Sequence, residues 1–310
     1  MITVLSGGTG TPKLLKGLLR VIPQRDLTII ANTADDIELY GLYISPDVDT
    51  IIYLLAGLLD EEKWWGIRGD TFHFVEMMRR YGEEAWFNLG DRDLAIHVIR
   101  TRLLRRGWKL SEVIKKICSS LSIEATILPM TDDRVETRII TSDGRNIHFQ
   151  EFWVKYRGNI CIKDVIFSGI EKARPADGVI DAIESSKGVI IGPSNPITSI
   201  GPIVSIKGIR EALRDKSPVI AISPIVGNKP VSGPAAQLMK AKGVEVSSLG
   251  VAELYSDFLD IFIIDKRDQN LKDEIEGLGI KVIVADTIMD NDEKRMRLAL
   301  ITLKAMGVEI

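Results

Sequence analysis

Several clusters along the chain carry residues that could act on a phosphate. The first is Ser6-Gly7-Gly8-Thr9-Gly10-Thr11-Pro12-Lys13. Glycines let backbone N–H groups approach an anion closely, a following helix N-terminus adds favourable partial charge, and Lys13 could reach the same phosphate. The spacing is neither a Walker A loop nor a full Gly-x-Gly-x-x-Gly, because Lys13 stands where the third glycine would be. The structural alternative is a tight turn that binds nothing. The second cluster joins Asn32-Thr33-Ala34-Asp35-Asp36 to Pro46-Asp47-Val48-Asp49. Four carboxylates above one sheet edge repel one another without a cation. Mg²⁺ suits such a surplus, because it commonly uses one or two carboxylates plus substrate phosphates and water. Asp35 as a turn cap and Asp49 as cap of a helix starting at Thr50 are the alternatives.

A third cluster, Asn88-Leu89-Gly90-Asp91-Arg92-Asp93, precedes a helical run. Asp91 there is either an N-cap or part of a phosphate and metal site. Two proline-bounded turns, Gly192 to Pro202 and Ser223 to Pro234, leave apolar runs in rigid geometry. Their Ser194, Asn195, Thr198, Ser199 and Asn228 offer hydroxyl and amide groups to a nucleobase, ribose or phosphate. Trp64, Trp65, Trp86 and Trp153 could line a ring-binding pocket, although tryptophans more often pack in a core. No Ser/His/Asp or Cys/His arrangement is identifiable.

The elements that must position these groups alternate. Ile2 to Leu5 reads as a buried strand, the period from Thr11 onward as a helix, and Leu27 to Ala31 as a second strand. Such a βαβ unit forces a parallel sheet. Asn32 to Asp49 reads as a long functional loop and Thr50 to Leu58 as a helix. Phe72 to Tyr81, Asp91 to Leu104 and Ser111 to Leu121 are helical in period, an insertion at about 60–122. A strand follows at Ala125 to Leu128. Val135 to Thr141 and Arg145 to Phe152 flank Asp143-Gly144, which predicts a hairpin at about 135–152 with a type I′ turn. Buried strands follow at Gly188 to Ile191, Val219 to Ile222, Ile261 to Ile264 and Val282 to Val284, with helices at Pro234 to Lys242 and Asn291 to Met306. The expected fold is a single α/β domain over residues 1–310, Rossmann-like, with a mostly parallel sheet and helices on both faces.

A chain of 310 residues with 45% hydrophobic and 27% charged residues is that of an ordinary globular protein. The net charge of -3 gives no general reason for a nucleic-acid partner. Two cysteines, Cys118 and Cys161, in no Cys-x-x-Cys arrangement argue against a disulfide framework. Scattered His73, His97 and His148 argue against zinc, so any metal should be hard and oxygen-ligated. Without a signal-like start or a spanning apolar run, the expectation is a cytoplasmic protein with no membrane partner.

The motifs, in this order, resemble the 2-phospho-L-lactate transferase family of coenzyme F-420 biosynthesis, found in archaea and some bacteria. The resemblance is carried by Ser6 to Lys13, Asn32 to Asp36, Ile44 to Thr50, Lys63 to Ile67, Leu89 to Asp93, Ile127 to Asp133, Phe149 to Trp153 and both proline-bounded turns. It spans nearly the whole chain. It implies a Mg²⁺-dependent transfer from lactyl-2-diphospho-5′-guanosine, or its enolpyruvyl analogue, to the deazaflavin alcohol Fo, with release of GMP, in a homodimer. By position, Asp49 corresponds to a deazaflavin-contacting aspartate that also orients or deprotonates the attacking hydroxyl. Asn88 stands at a second contacting position where relatives commonly have lysine. Gly7, Gly8, Thr9, Gly10, Lys13 and Asn32, with Ser194, Asn195, Thr198, Ser199 and Asn228, would cradle the nucleotide. Asp49, Asp36 and Asp91 are the candidate metal ligands. The rival reading is a nucleotide-sugar-binding regulator of the gluconeogenesis-factor type, which shares the glycine loop and the Asn-Thr-Ala-Asp-Asp turn. A dinucleotide dehydrogenase is weakened by the missing third glycine.

Overall fold

The computed structural model describes residues 1–308. Seven short apolar runs become strands: Ile2–Ser6 (β1), Leu27–Ala31 (β2), Thr126–Pro129 (β3), Val189–Ile191 (β4), Val219–Ile222 (β5), Ile261–Asp265 (β6) and Lys281–Ala285 (β7). They form one sheet in the order β7-β6-β5-β4-β1-β2-β3, and every neighbouring pair is parallel. Both faces are covered, which is why the strands are continuously apolar rather than alternating with polar residues. Leu5, Ile30 and Ile191 enter the core on one face, while Val4, Ile29 and Ile190 enter the core on the other.

The strand order builds outward from β1 to β3, then reverses and adds β4 on the other side of β1. Right-handed crossovers then send the helices after β1 and β4 to opposite faces, which opens a crevice between those strands at their C-terminal ends. The β1–β2 face is covered by Gly10–Leu18 (α1), Pro46–Leu55 (α2) and the C-terminal helix Asp292–Ala305, through Leu14, Leu18, Ile51, Ile52, Leu298 and Leu303. Three further helices, His73–Arg80 (α3), Asp93–Leu104 (α4) and Leu110–Ser120 (α5), lie in the chain between β2 and β3. Opposite them, a three-stranded antiparallel sheet of Glu136–Thr141, Asn146–His148 and Ile162–Ser168 packs on the core through Ile139, Ile147 and Val165.

Four local expectations need correction. Asn32 to Asp49 is not one loop, since Ile37–Leu39 and Leu42–Ile44 pair as a hairpin around Tyr40 and Gly41, both at positive φ. Helix α2 begins at Pro46 rather than Thr50, because proline at a first helical position needs no donor. The Asp143-Gly144 turn is a three-residue loop: only Gly144 is left-handed, and the Thr141 amide bonds the Arg145 carbonyl. The second hairpin strand stops at His148 and passes into a π-helical turn at Glu151–Lys155.

Helix α1 lies so close to the C-terminal helix that a Cβ at Gly17 would overlap the carbonyl of Arg295. Gly17→Ala should therefore lower stability by about 1–3 kcal/mol through overpacking, measured by denaturant unfolding, whereas an exposed control such as Lys116→Ala should change it little.

Candidate functional site

The crevice is closed at its base by contacts between two loops far apart in sequence. The Ser194 hydroxyl accepts from the Thr11 amide at 3.1 Å, shares a hydrogen bond with the Thr11 hydroxyl at 2.7 Å and donates to the Gly7 carbonyl. A Cβ at Gly10 would overlap the Pro193 carbonyl, so only glycine permits this approach. The start of α1 is thereby pinned beside the β4 loop, with no acidic residue in its first turn to compete with an anion.

Above this base lies a cavity of about 590 Å³. The strand order fixes how it is laid out. The β5 turn contributes Pro224 and Val231 to Pro234, and the β4 turn contributes Ser194, Asn195, Thr198 and Ser199. The β1 loop contributes Gly8, Thr9 and Gly10, and beyond β2 stand Asp35, Asp47 and Asp49. The far wall is aromatic and polar, with Trp65, Phe87, Asn88 and Trp153. Trp65 and Trp153 remain 37% and 40% exposed, so their ring surfaces are only partly covered by protein. Trp153 sits on the π-helical turn, a geometry common at functional sites.

The four aspartates separate into groups with different charge balance. Asp47 accepts from Asn32 Nδ2 at 2.9 Å and from the Gly8 amide, yet burial pushes its carboxyl up to about 6. Burial, and then the charge of Asp47, push Asp35 well above the usual carboxylate range. Asp35 Oδ1 is buried without a hydrogen-bond partner. No cation of the protein is among the causes that act on either carboxyl. Asp49, by contrast, is clasped by the buried Arg100 through both oxygens, with Nη1 at 3.1 Å from Oδ2. Asp36 lies behind the cavity wall, takes the Ser45 hydroxyl at 2.7 Å, and is raised well above its usual range by burial.

Several candidate residues therefore do other work. Asn32 donates to Asp47 and to the Thr198 carbonyl, and accepts from the Ala34 amide, so it ties three loops together behind the cavity. Gly7 sits in that same layer, where an added Cβ would meet Ser199 and Asn32. Lys13 does not line the cavity and lies over the Trp64 ring at 5.4 Å, while burial and then Arg295 lower its pKa. Asn228 occupies an exposed two-residue hairpin turn with Gly227, both at positive φ. Asp91 lies outside the cavity, where it accepts from the Thr71 hydroxyl and the His73 and Phe74 amides and so caps α3. Trp86 also stays outside and packs edge-on against Phe87. Among the expected metal ligands, only Asp49 borders the cavity.

Sequence reasoning placed Asp93 in the Asn88 to Asp93 cluster but missed Tyr53 and His97 as lining residues, and Arg100 behind them. A signal was present: Asp93, His97 and Arg100 recur at i, i+4 and i+7 and so share one helix face. No cluster of three or more His, Cys, Asp or Glu groups among the described residues is arranged to hold a metal, and no described helix is long and apolar enough to cross a membrane.

Comparison with known proteins agrees with this geometry. Residues 2–303 match the family model described as 2-phospho-L-lactate transferase CofD. The 2-phospho-L-lactate transferase of Methanosarcina mazei is 48% identical over 302 residues, covering 97% of this chain and 99% of the relative. That of Methanosarcina acetivorans is 50% identical over 296 residues, covering 96% of each, and that of Methanocaldococcus jannaschii is 48% identical over 302 residues, also covering 96% of each. A solved structure of a UPF0052 family protein from Bacillus halodurans shares the fold, with a TM-score of 0.67 at 15% identity over 97% of this chain and 98% of that one. The chain belongs to the 2-phospho-L-lactate transferase family.

Proposed function

We propose that this protein transfers a 2-phospholactyl group, or its enolpyruvyl analogue, from a guanosine diphosphate-linked donor to the deazaflavin alcohol Fo, releasing GMP. The observation that carries the reading is one continuous cavity, with a helix start free of acidic residues at the strand reversal, a carboxylate pair beside it and an aromatic wall beyond. The donor diphosphate would lie across Gly8 to Gly10 and Ser194 to Ser199, with guanosine toward the Val231 to Pro234 turn. Fo would lie against Trp65, Phe87 and Trp153, with Asn88 and Asp49 in hydrogen-bonding reach.

Asp35 and Asp47 fit a divalent cation better than Asp49 does. They are buried side by side at the edge of a cavity with room for phosphate and water as further ligands, and Asp35 carries a buried oxygen without a hydrogen-bond partner. Bound there, Mg²⁺ would offset charge on the phosphates. The remaining steps belong to the protein. The glycine-loop amides hold the phosphate that will become part of GMP. The aromatic wall orients Fo so that its terminal hydroxyl faces the phosphorus carrying the lactyl group. Attack forms the new P–O bond as the bond to GMP breaks in line and the hydroxyl gives up its proton to Asp49, and most of the rate comes from positioning and charge neutralisation.

Fluorescence titration with Fo, with and without GDP and Mg²⁺, tests the reading directly. Saturable binding altered by the nucleotide is expected, whereas binding of a nucleotide sugar without any response to Fo would favour a regulatory protein. In a transfer assay, Asp35→Asn and Asp47→Asn should each lose on the order of a hundredfold in turnover, and Asp91→Asn should stay near wild type.

The charge imbalance also has a signature in stability. Asp47 is raised in the folded protein, so its favourable protonated state is fully available below its unfolded value and is lost as pH rises through about 6. Without Mg²⁺, Asp47→Asn should therefore be more stable than wild type at neutral pH by on the order of 2 kcal/mol. The gain should vanish toward about pH 4, read from paired thermal unfolding curves. A gain that does not change with pH would contradict the assigned ionisation.

A further inference from the structure

Helix α4 buries three titratable side chains beside its core residues Ile96 and Leu103 and leaves two hydrophobes at the surface. Val98 and Ile99 are 50% and 36% exposed, while Asp93, His97 and Arg100 are buried, Arg100 completely. Burying a charged stripe is costly unless every member is paired. Here the partner is the first turn of α2. Arg100 grips both oxygens of Asp49, and its Nη1 also lies 3.5 Å from the Tyr43 carbonyl. His97 stands between two carboxylates, with Nδ1 at 3.6 Å from Asp49 Oδ2 and Nε2 at 3.3 Å from Asp93 Oδ2. Asp93 accepts the Tyr53 hydroxyl as well. Burial pushes the Asp93 carboxyl upward, but His97, Tyr53 and Arg100 outweigh it and leave the group below its usual range.

Asp49, Asp93, His97 and Tyr53 border the cavity, whereas Arg100 stands behind Asp49 and does not. The cavity thus holds two pairs of carboxylates with different partners. Asp35 and Asp47 lack a protein cation. Asp49 already has one in a fixed two-point guanidinium grip, and the His97 imidazole lies between Asp49 and Asp93. A compensated carboxylate attracts a metal ion weakly but still accepts hydrogen bonds from neutral donors. A grip through both oxygens also removes the side chain's freedom to rotate toward a cation.

We propose that Arg100 and His97 are positioning residues that hold Asp49 and Asp93 as a rigid, metal-free pair of acceptors for hydroxyl or N–H donors of the acceptor substrate. The inference rests on the acceptor reading above and adds to it the two residues that make this subsite selective for a neutral polyol over a cation. Neither residue needs to touch the substrate. Both act through the carboxylates they hold.

The test uses Arg100→Lys, which keeps the charge and loses the fork, and His97→Asn, which keeps a polar group and loses the bridge. Folding of each variant is checked first by thermal unfolding. Arg100→Lys should raise the KM for Fo about tenfold or more, with the KM for the guanosine-linked donor and the Mg²⁺ concentration for half-maximal rate within about twofold of wild type. His97→Asn should move the same constant in the same direction by a smaller factor. If Arg100 acts through Asp49, adding Arg100→Lys to Asp49→Asn should bring little further loss of Fo binding. Equal shifts in the constants for both substrates, a shift confined to the Mg²⁺ requirement, or full additivity with Asp49→Asn would overturn the proposal. If Fo binds wild type and Arg100→Lys equally well, this inference fails alone. If wild type does not bind Fo at all, the acceptor reading fails and takes this inference with it.

Discussion

The molecule is organised around the contact at which α1 and the β4 turn approach within backbone distance of each other. Ser194 reaches across to Thr11 and Gly7, and Gly10 leaves room for the Pro193 carbonyl. A parallel sheet whose strand order reverses beside β1 opens a crevice there by topology alone. Without a tie at the base, that crevice would be two loops free to separate. With it, the amides of the glycine loop and the hydroxyls of the β4 turn face one volume and hold one geometry. Such fixed dipoles need little rearrangement when charge shifts during a reaction.

Charge balance is the second organising constraint. Two carboxylates at the C-terminal edge of the sheet have no cation from the protein, while two others only slightly further along are held by a buried arginine and a histidine. The protein carries the cost of burying all four. In the proposed reading, the uncompensated pair would receive a cation with the substrate and the compensated pair would accept hydrogen bonds instead. The same residue type therefore stands in two different charge settings in one cavity, decided by the partner each side chain meets.

Much of this was legible in the residues. The strand and helix periods located all seven strands of the main sheet and the principal helices to within a few residues, because a strand buried on both faces is a short, continuous apolar run bounded by turn residues. The glycine loop, the proline-bounded turns and the aspartate cluster were visible as groups. Their internal assignments were harder. Asp91 looked like the cap of the helix that follows it, yet it caps α3, while Asp70 accepts from the Arg92 and Asp93 amides at the start of α4. This exchange of caps between two helices leaves no trace in local spacing. Lys13 stood in the right turn for a phosphate, but it lies over the Trp64 ring, which Arg295 of the C-terminal helix also covers.

Sequence alone determined which segments could be strands, which face of each helix was apolar, and which short stretches were too rich in glycine, proline and aspartate to be simple connections. Those properties depend on the period and chemistry of neighbouring residues, which the chain carries in full. Only the tertiary structure decided that Ser194 meets Thr11, that Arg100 belongs to Asp49, and that Asp35 and Asp47 share a volume without a counter-charge. Each of those pairings joins residues on different elements, and the ionisation of a buried carboxyl depends on the partner brought to it by folding rather than on its neighbours in sequence.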